Sequence, residues 1–237
     1  SLATKNVGVA SGIEIKNENQ GNSTRQYYRS YSNKLRSLES SHDTTPVLEG
    51  GLISWRKSAL EDFLLDEGVN ADDAQIASLI RIGGLRCILD ENASFIDFAP
   101  TTVEGQSRQK IRRAQGLQNF LDRFPKQHNL PEEGYFSAIF RTQRYLHLVV
   151  PIMLFQIAIV GIIRWTYVSV TSMPTGYEAV LHASLAFVEL LILVAWLTFR
   201  NGIRLPLVTT IGALVTNFEY LFIAKYRNSR RSEEHTS

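Results

Sequence analysis

Cysteine is almost absent from the sequence, and neither sign of charge dominates it. One cysteine, Cys87, excludes an internal disulfide framework and a cysteine-rich zinc site. Lys and Arg number 25 and Asp and Glu number 23, so the formal net charge is +2. Hydrophobic residues make up 44% and charged residues 20% of the chain, which excludes wholesale disorder and a collagen-like chain.

Charge is also unevenly divided along the chain. Residues 1–144 carry most of it, whereas long stretches of residues 145–224 are almost free of charge. The run 145–163 contains no Asp, Glu, Lys or Arg. A helix rises about 1.5 Å per residue, so a run of this length just crosses the roughly 30 Å hydrocarbon layer of a bilayer. The composition therefore predicts a polar domain followed by a membrane region.

We expect the following organisation from these divisions. The segments are a polar α/β domain (1–130), an interfacial segment (131–144), about three transmembrane helices within 145–226 (approximately 145–163, 179–199 and 205–224), and a tail (227–237). The end of that tail, residues 231–237, resembles translated sequencing-adapter sequence, and a genuine polar tail is the alternative. The strand-like segment Val7–Ile15 comes with no signal peptide before it, so we expect a chain truncated at its N-terminus within a larger domain.

The basic residues around the apolar runs predict an orientation. Arg141 and Arg144 flank the first run, and Arg200 and Arg204 lie between the second and third, which favours the cytosolic side for both sets. Three full crossings would place the basic residues of segment 225–230 on the opposite side. Either the third run does not fully cross, or further spans follow.

Two acidic residues, Glu189 and Glu219, interrupt the second and third apolar runs. A carboxylate in lipid is costly, so such residues indicate a conduit or a polar contact between helices. The structural alternative is a protonated Glu bonded to a neighbouring helix, or one placed near the interface.

In the polar half, strand-like and helix-like segments alternate, which predicts an α/β layer. The predicted strands are Val7–Ile15, Leu48–Trp55, Arg86–Leu89 and Ser94–Phe98. The first predicted helix is Thr24–Ser40, with Tyr28, Tyr31, Leu35 and Leu38 along one face, and the second is Lys57–Leu65. The third is capped by Asn70 and ended by Gly83-Gly84, with Ile76, Leu79 and Ile80 facing inward. The fourth is a basic helix from Thr102 to Phe124.

Two short features of this half have both a structural and a functional interpretation. Asp72 and Asp73 occupy the first turn of a predicted helix, where the helix dipole favours acids without any chemistry. The pair Gly50-Gly51 suits a tight start of a strand, and it would equally let a ligand approach the backbone.

The basic helix has two different faces at about 100° per residue. One arc carries Arg108, Gln109, Arg112, Arg113 and Gly116, and the opposite side carries Ile111, Ala114, Leu117, Leu121 and Phe124. Such a basic face suits anionic lipid headgroups. Paired guanidinium groups are equally suited to a diphosphate, and periodicity does not choose between the two.

Three segments in this order resemble glycosyltransferase family 2. They are GGLISWRKSAL from Gly50, ADDAQI from Ala71 and RQKIRRAQG from Arg108, followed by the apolar runs. The resemblance is to the C-terminal half of the family's GT-A-type catalytic domain and the membrane helices after it. In the family, an acceptor-side glycine segment, an acidic helix motif and a Q-x-x-R-W helix follow one another.

The resemblance implies a role for each matching position. Asp73 would be the general base that deprotonates the acceptor hydroxyl. Gly50 and Gly51 would line the acceptor site. Gln109 and Arg112 match the Q-x-x-R positions, and Arg112 with Arg113 would offset charge on the departing nucleoside diphosphate.

Two departures from the family pattern matter. Arg113 stands where processive synthases of the family carry Trp, which favours a non-processive transferase. The family's nucleotide-binding unit and its D-x-D motif would precede Val7, so the implied Mg²⁺ or Mn²⁺ would have its main ligands upstream, with no metal ligands in this chain.

The sequence therefore predicts a membrane-bound inverting glycosyltransferase that moves a sugar from a nucleotide-sugar donor to a lipid-linked or polysaccharide acceptor. As a fragment without the donor-binding half, we expect it to be inactive alone. The expected partners are the donor, a lipid-phosphate or glycan acceptor and the bilayer, with no nucleic acid. The expected location is the cell membrane, multi-pass, with the catalytic part cytosolic. The alternatives are a processive polysaccharide synthase with a translocation channel and a non-catalytic membrane adaptor.

Overall fold

The computed structural model describes residues 4–15, 24–97, 100, 102–171, 175–201 and 206–234. Its strands are β1 (Val7–Glu14), β2 (Ile53–Trp55) and β3 (Arg86–Phe95). Its α-helices are α1 (Thr24–His42), α2 (Asp72–Ile82), α3 (Val103–Gln127), α4 (Tyr135–Leu148), α5 (Val150–Val170), α6 (Gly176–Arg200) and α7 (Pro206–Glu234), and a 3₁₀ helix occupies Lys57–Ala59.

The three strands form one mixed sheet in the order β2-β1-β3. The central strand β1 runs antiparallel to β2 and parallel to β3, and the strand predicted at this position is confirmed. Our prediction of two strands at 86–98 was wrong: β3 is one continuous strand to Phe95, and its register with β1 shifts between the pairs made by Ser11 and Ile13. The predicted strand end at Phe98 lies outside the described residues.

Two predicted elements before α2 are shorter than expected. The strand expected from Leu48 begins only at Ile53, because the Gly50-Gly51 pair lies in a turn. The helix expected over Lys57–Leu65 is reduced to the single 3₁₀ turn.

Helix α2 packs on the sheet through its predicted inward face. Ile76 and Ile80 pack with Val9, Leu48 and Cys87, and Leu79 belongs to the neighbouring core cluster, so the inward positions are confirmed. The C-terminal glycines are confirmed as well, since Gly83 is the C-cap and Gly84 has a φ of +91°, a value that favours glycine.

The start of α2 differs from the prediction. Asn70 does not cap it: the N-cap residue is Ala71, and no side chain accepts a cap hydrogen bond. Instead, the carboxylate of Asp73 accepts a hydrogen bond from the Ala74 N–H at 2.9 Å within the first turn. An acid in this position satisfies one free donor, which leaves the Asn70 side chain without that role.

The predicted inward face of α1 was also wrong in its described part. Leu35 and Leu38 are 40% and 53% exposed. The helix turns a polar face inward instead, because the Ser40 hydroxyl accepts a hydrogen bond from the backbone N–H of Leu89 in β3 at 2.8 Å. The side chains of Tyr28 and Tyr31 lie outside the described residues.

The basic helix α3 anchors a second core. Its buried residues Leu121 and Phe124 pack with Phe120 and with Phe136 and Phe140 of α4. The hydroxyl of Thr102 caps the helix by accepting the Gly105 N–H. The predicted end at Phe124 was two to three residues too early, because α3 continues through Pro125 while Phe124 stays packed against Phe120 and Phe140.

Two helical stretches among the described residues are long and apolar enough to cross a membrane, namely Tyr135–Val168 and Gly176–Arg200. They contain the first and second predicted spans. The third predicted run, 205–224, falls in α7 apart from residue 205, which lies outside the described part.

The acids of the apolar helices bond to neighbouring helices. Glu189 of α6 accepts hydrogen bonds from Arg164, at 2.7 Å, and from the Trp165 ring N–H of α5. Glu219 of α7 accepts from the ring N–H of Trp196 at 3.0 Å and from Arg200 at 3.2 Å. Of the interpretations left open by the sequence, these contacts favour polar contacts between helices.

Candidate active site

The carboxylate of Asp73 and the backbone of Gly50 are direct neighbours. A Cβ atom built on Gly50 would lie 3.3 Å from Oδ2 of Asp73 and 3.8 Å from its Cγ. The start of α2 presents the carboxylate, and the turn before β2 presents the glycine. Two positions that the sequence assigns to different motifs, 23 residues apart, therefore lie side by side.

The surroundings of Asp73 make its carboxylate more basic than usual. Burial raises the pKa of Asp73 above its ordinary value, and the nearby carboxylates of Glu49 and Asp72 raise it further. The hydrogen bond from the Ala74 N–H and the positive charge of Arg36 act in the opposite direction and lower the pKa. A half-buried carboxylate with a raised pKa is suited to taking up a proton.

Glu49 and Arg36 belong to this site, and our sequence reasoning missed both. The buried Glu49 is held by its backbone, since its N–H donates to the Ser11 hydroxyl at 3.1 Å and its carbonyl accepts from that hydroxyl at 3.2 Å. Its side chain accepts a hydrogen bond from Arg36, which also donates to the Val47 carbonyl at 2.8 Å. The position of Glu49 directly before Gly50 was a usable signal, whereas nothing in the sequence singles out Arg36.

Gly51 faces a different neighbour from Gly50. A Cβ atom on Gly51 would lie 2.1 Å from Cε2 of Phe95, at the end of β3. The absence of a side chain at this position is therefore required for packing the turn against the Phe95 ring. The two glycines, which the resemblance assigns to one acceptor site, have distinct structural roles.

Helix α3 meets the start of α2 at Gly116. A Cβ atom there would lie 1.9 Å from the carbonyl oxygen of Asn70 and 3.6 Å from the nitrogen of Ala71, so only glycine permits this approach. Arg112 lies one turn earlier on the same face of α3 and is exposed. The end of the predicted basic arc at Gly116 therefore packs against the start of α2.

The other predicted diphosphate residues lie farther along this arc. Arg113 lies 3.7 Å from the carboxylate of Asp97, which follows β3, and both side chains are partly exposed. Such an exposed pair is weak and leaves the guanidinium available to other anions. Gln109 is half-buried one turn before Arg113. Within the described part of the chain, no cluster of three or more His, Cys, Asp or Glu side chains is arranged to hold a metal ion.

Comparison with known proteins identifies a similar structure. A mannosyltransferase from Pyrobaculum calidifontis, solved in complex with GDP-Man and Mn²⁺, superposes with a TM-score of 0.67 at 24% sequence identity. The match covers 96% of this chain and 55% of that protein, so the chain spans about half of its length. No protein-family model and no curated protein matches the sequence. The chain thus has a mixed α/β, glycosyltransferase-like fold followed by apolar helices.

Proposed function

We propose that this chain is the C-terminal part of a membrane-bound, inverting family 2 glycosyltransferase. The observation that carries the proposal is the contact between the Asp73 carboxylate and Gly50 beside the Arg-bearing face of α3. The fold shared with a mannosyltransferase supports the general class. The donor would be a nucleotide sugar, and the acceptor a polyprenyl phosphate, a lipid-linked glycan or a growing polysaccharide.

In the proposed reaction, Asp73 acts as the general base. Where the acceptor is a glycan, the Asp73 carboxylate takes the proton of the acceptor hydroxyl as that oxygen attacks the anomeric carbon of the donor; the oxygen of a polyprenyl phosphate is already ionised and would need no base. The bond from this carbon to the nucleoside diphosphate breaks on the opposite side, which inverts the centre. The raised pKa of Asp73 favours this proton transfer.

The glycine at position 50 would leave room for the acceptor beside the base. A side chain there would meet the Asp73 carboxylate at 3.3 Å and occupy the approach to it. Gly51 would contribute by keeping the turn packed against Phe95. We therefore expect Gly50 to contact the acceptor and Gly51 to hold the acceptor-side turn in place.

The basic residues of α3 would bind the leaving group. Arg112 is exposed, and Arg113 pairs only loosely with Asp97, so both guanidinium groups are available to a diphosphate. Their charge would offset the negative charge that builds on the departing nucleoside diphosphate. Gln109, on the same arc, would add a hydrogen bond to it.

A divalent cation, Mg²⁺ or Mn²⁺, would supply further charge to the diphosphate. The Mn²⁺ in the Pyrobaculum calidifontis complex supports this expectation. The described residues of this chain do not form a metal site, so the proposed steps are assigned to side chains alone. We expect the main metal ligands upstream of Val7, together with the donor-binding half.

The apolar helices would hold this site against the membrane. The stretches Tyr135–Val168 and Gly176–Arg200 support a multi-pass anchor in the cell membrane, with the catalytic part in the cytosol. A lipid-linked acceptor could then reach the site without leaving the bilayer.

A transfer assay on the whole protein that carries this chain tests the proposal. Labelled GDP- and UDP-sugars are offered in detergent with polyprenyl phosphate, a lipid-linked glycan or a polysaccharide, and the anomeric configuration of the product is read by NMR. Transfer with inversion supports the proposal. A long polymer as product would identify a processive synthase. If no donor gives transfer with any acceptor, the remaining alternative is the non-catalytic membrane adaptor. Residues 1–237 alone should be inactive, and robust transfer by them would overturn that part.

A further inference from the structure

Helix α7 packs extensively against α6, and the side-chain contacts between them lie at the C-terminal end of α6. Gly212 of α7 lies against the last two turns of α6: a Cβ atom on it would be 2.3 Å from the Ala195 carbonyl oxygen and 2.4 Å from Cβ of Phe199. Two turns later along α7, Glu219 bonds to Trp196 and Arg200, which are the next residues of the same two turns.

This pattern fixes how the two helices cross. From position 212 to 219 the chain advances about 10 Å along α7, while its partners advance about 1.5 Å along α6. In an antiparallel transmembrane pair, the partner of Glu219 would lie about seven residues earlier in α6. The contacts instead indicate that α7 crosses the C-terminal part of α6 at an angle.

The second half of α7 runs beside α3 of the polar domain. The hydroxyl of Tyr220 lies 3.1 Å from that of Ser107, and two turns later Asn228 bonds to Gln115 at 3.3 Å. The partners advance together on both helices, so α3 and α7 run parallel here. The charge of Lys225 also helps to lower the pKa of Asp122 in α3, after the larger effect of the Lys126 hydrogen bond.

Contacts with the start of the first apolar stretch agree with this path. Gln118 of α3 donates to the carbonyls of both His147 and Leu221, at 3.0 and 2.9 Å. The Phe222 ring stacks on Phe155, near the start of α5, with ring centroids 4.2 Å apart. Residues 212–228 of α7 therefore stay beside the polar domain, at the near ends of α5 and α6.

We propose that α7, packed beside α3, lies along the membrane surface on the side of the polar domain and binds the bilayer interface. This proposal rests on the membrane anchoring included in the proposed function. It leaves two crossings, α5 and α6, and places the basic segment around Lys225 and Arg227 on the same side as Arg141, Arg144 and Arg200. The charge conflict created by three crossings then disappears.

The residues of α7 suit this location. Leu214 is exposed in the apolar part of α7, and farther along the partly buried Lys225 lies close enough to Asp122 of α3 to lower its pKa. Arg227 is exposed as well. An apolar face at the acyl boundary followed by basic residues at the headgroups is the pattern of an interfacial helix, and anionic lipid is the partner that it fits.

A depth measurement tests the proposal directly. Nitroxide labels are placed at Leu214→Cys and, as a matched control, Leu190→Cys in the full chain in anionic lipid vesicles; both leucines are about half exposed, at 52% and 56%. The native Cys87 is fully buried and should not be labelled. Because Leu214 is central in the third apolar run (205–224) and Leu190 is central in α6, a third run that spans the bilayer would place both at about the same depth. We expect Leu214 near the phosphates and Leu190 near the bilayer centre. Equal depth overturns the proposal.

Labelling from one side of sealed membranes provides the second test. We compare Ser229→Cys with Glu133→Cys, in the loop before α4, and Tyr177→Cys, at the start of α6. Ser229 should react with impermeant maleimide from the same side as Glu133 and from the opposite side to Tyr177. Reaction of Ser229 with the Tyr177 side overturns the proposal. If Tyr177 and Glu133 react from the same side, the proposed membrane anchor is contradicted, and the proposed position of α7 fails with it. Neither result changes the sugar transfer measured in the assay above, so the two proposals can fail separately.

Discussion

The Asp73 carboxylate packs against the backbone of Gly50, with only 3.3 Å between Oδ2 and the position of a Cβ atom at residue 50. This contact joins the first turn of α2 to the turn before β2. In the proposed mechanism a side chain at position 50 would occupy the approach to Asp73, which is why a glycine and an acid would be needed together.

The two neighbouring glycines should respond differently to the same substitution. Gly50→Ala places a methyl group at tight but tolerable distance from Asp73, so transfer should fall while the melting temperature changes little. Gly51→Ala drives a methyl group into the Phe95 ring and should destabilise the fold by about 1–3 kcal/mol. Thermal unfolding and transfer rates separate the two. An unchanged melting temperature for Gly51→Ala, or unchanged transfer for Gly50→Ala, would contradict these roles.

Substitution at Gly116 tests the contact between α3 and α2. In an unconstrained helix, Gly→Ala stabilises by about 1 kcal/mol. At position 116 the methyl group would lie 1.9 Å from the Asn70 carbonyl, so Gly116→Ala should instead lower the free energy of unfolding and separate Arg112 from the start of α2. Chemical denaturation gives the sign of the effect, and a stabilised variant would show that the helices do not approach as described.

Sequence patterns predicted the elements whose apolar spacing is regular. The inward residues of α2, the buried face of α3 and the strand at Val7 follow from burial on one side or both sides of an element. The patterns failed where long-range contacts decide. β3 is one strand rather than two because β1 pairs with both of its ends, at Arg86–Leu89 and at Ser94–Phe95.

The site was predicted in the same partial way. Asp73, Gly50 and Arg112 come from motifs that have a local sequence signature, whereas Arg36 acts through space from a helix that no motif marks. The packing of α7 against α3 was likewise not predictable from the sequence. Hydropathy indicates whether a helix is long and apolar enough to span a membrane, but it does not indicate which helices it packs against.

Removing the charge of Arg36 should shift the pH dependence of transfer. Arg36 lowers the pKa of Asp73, so Arg36→Met should raise that pKa and move the acidic limb of the rate profile to higher pH. Arg36→Lys keeps a positive charge and serves as the control, with its limb closer to that of the native protein. A profile with the same limb in all three proteins would remove Arg36 from the site.

The charge of Asp73 should reduce stability at neutral pH. Its pKa in the folded chain is raised above the ordinary 3.8, so the folded state binds the proton more tightly than the unfolded state. Stability from this group is therefore present below pH 3.8 and lost as pH rises through the raised pKa. Asp73→Asn should raise the melting temperature at pH 7, and the gain should vanish toward pH 3.5. Asp72→Asn is the control, and an equal gain in it would contradict the assignment.

The most direct measurement compares transfer rates of two adjacent substitutions in the whole protein that carries this chain. Asp73 contacts Gly50, whereas the neighbouring Asp72 is exposed on the same helical turn. Since a general base contributes roughly 10²–10⁴-fold, Asp73→Asn should reduce kcat by that factor in a folded protein, while Asp72→Asn should stay within a few-fold of the native rate. Equal rates for native protein and Asp73→Asn would contradict the central claim.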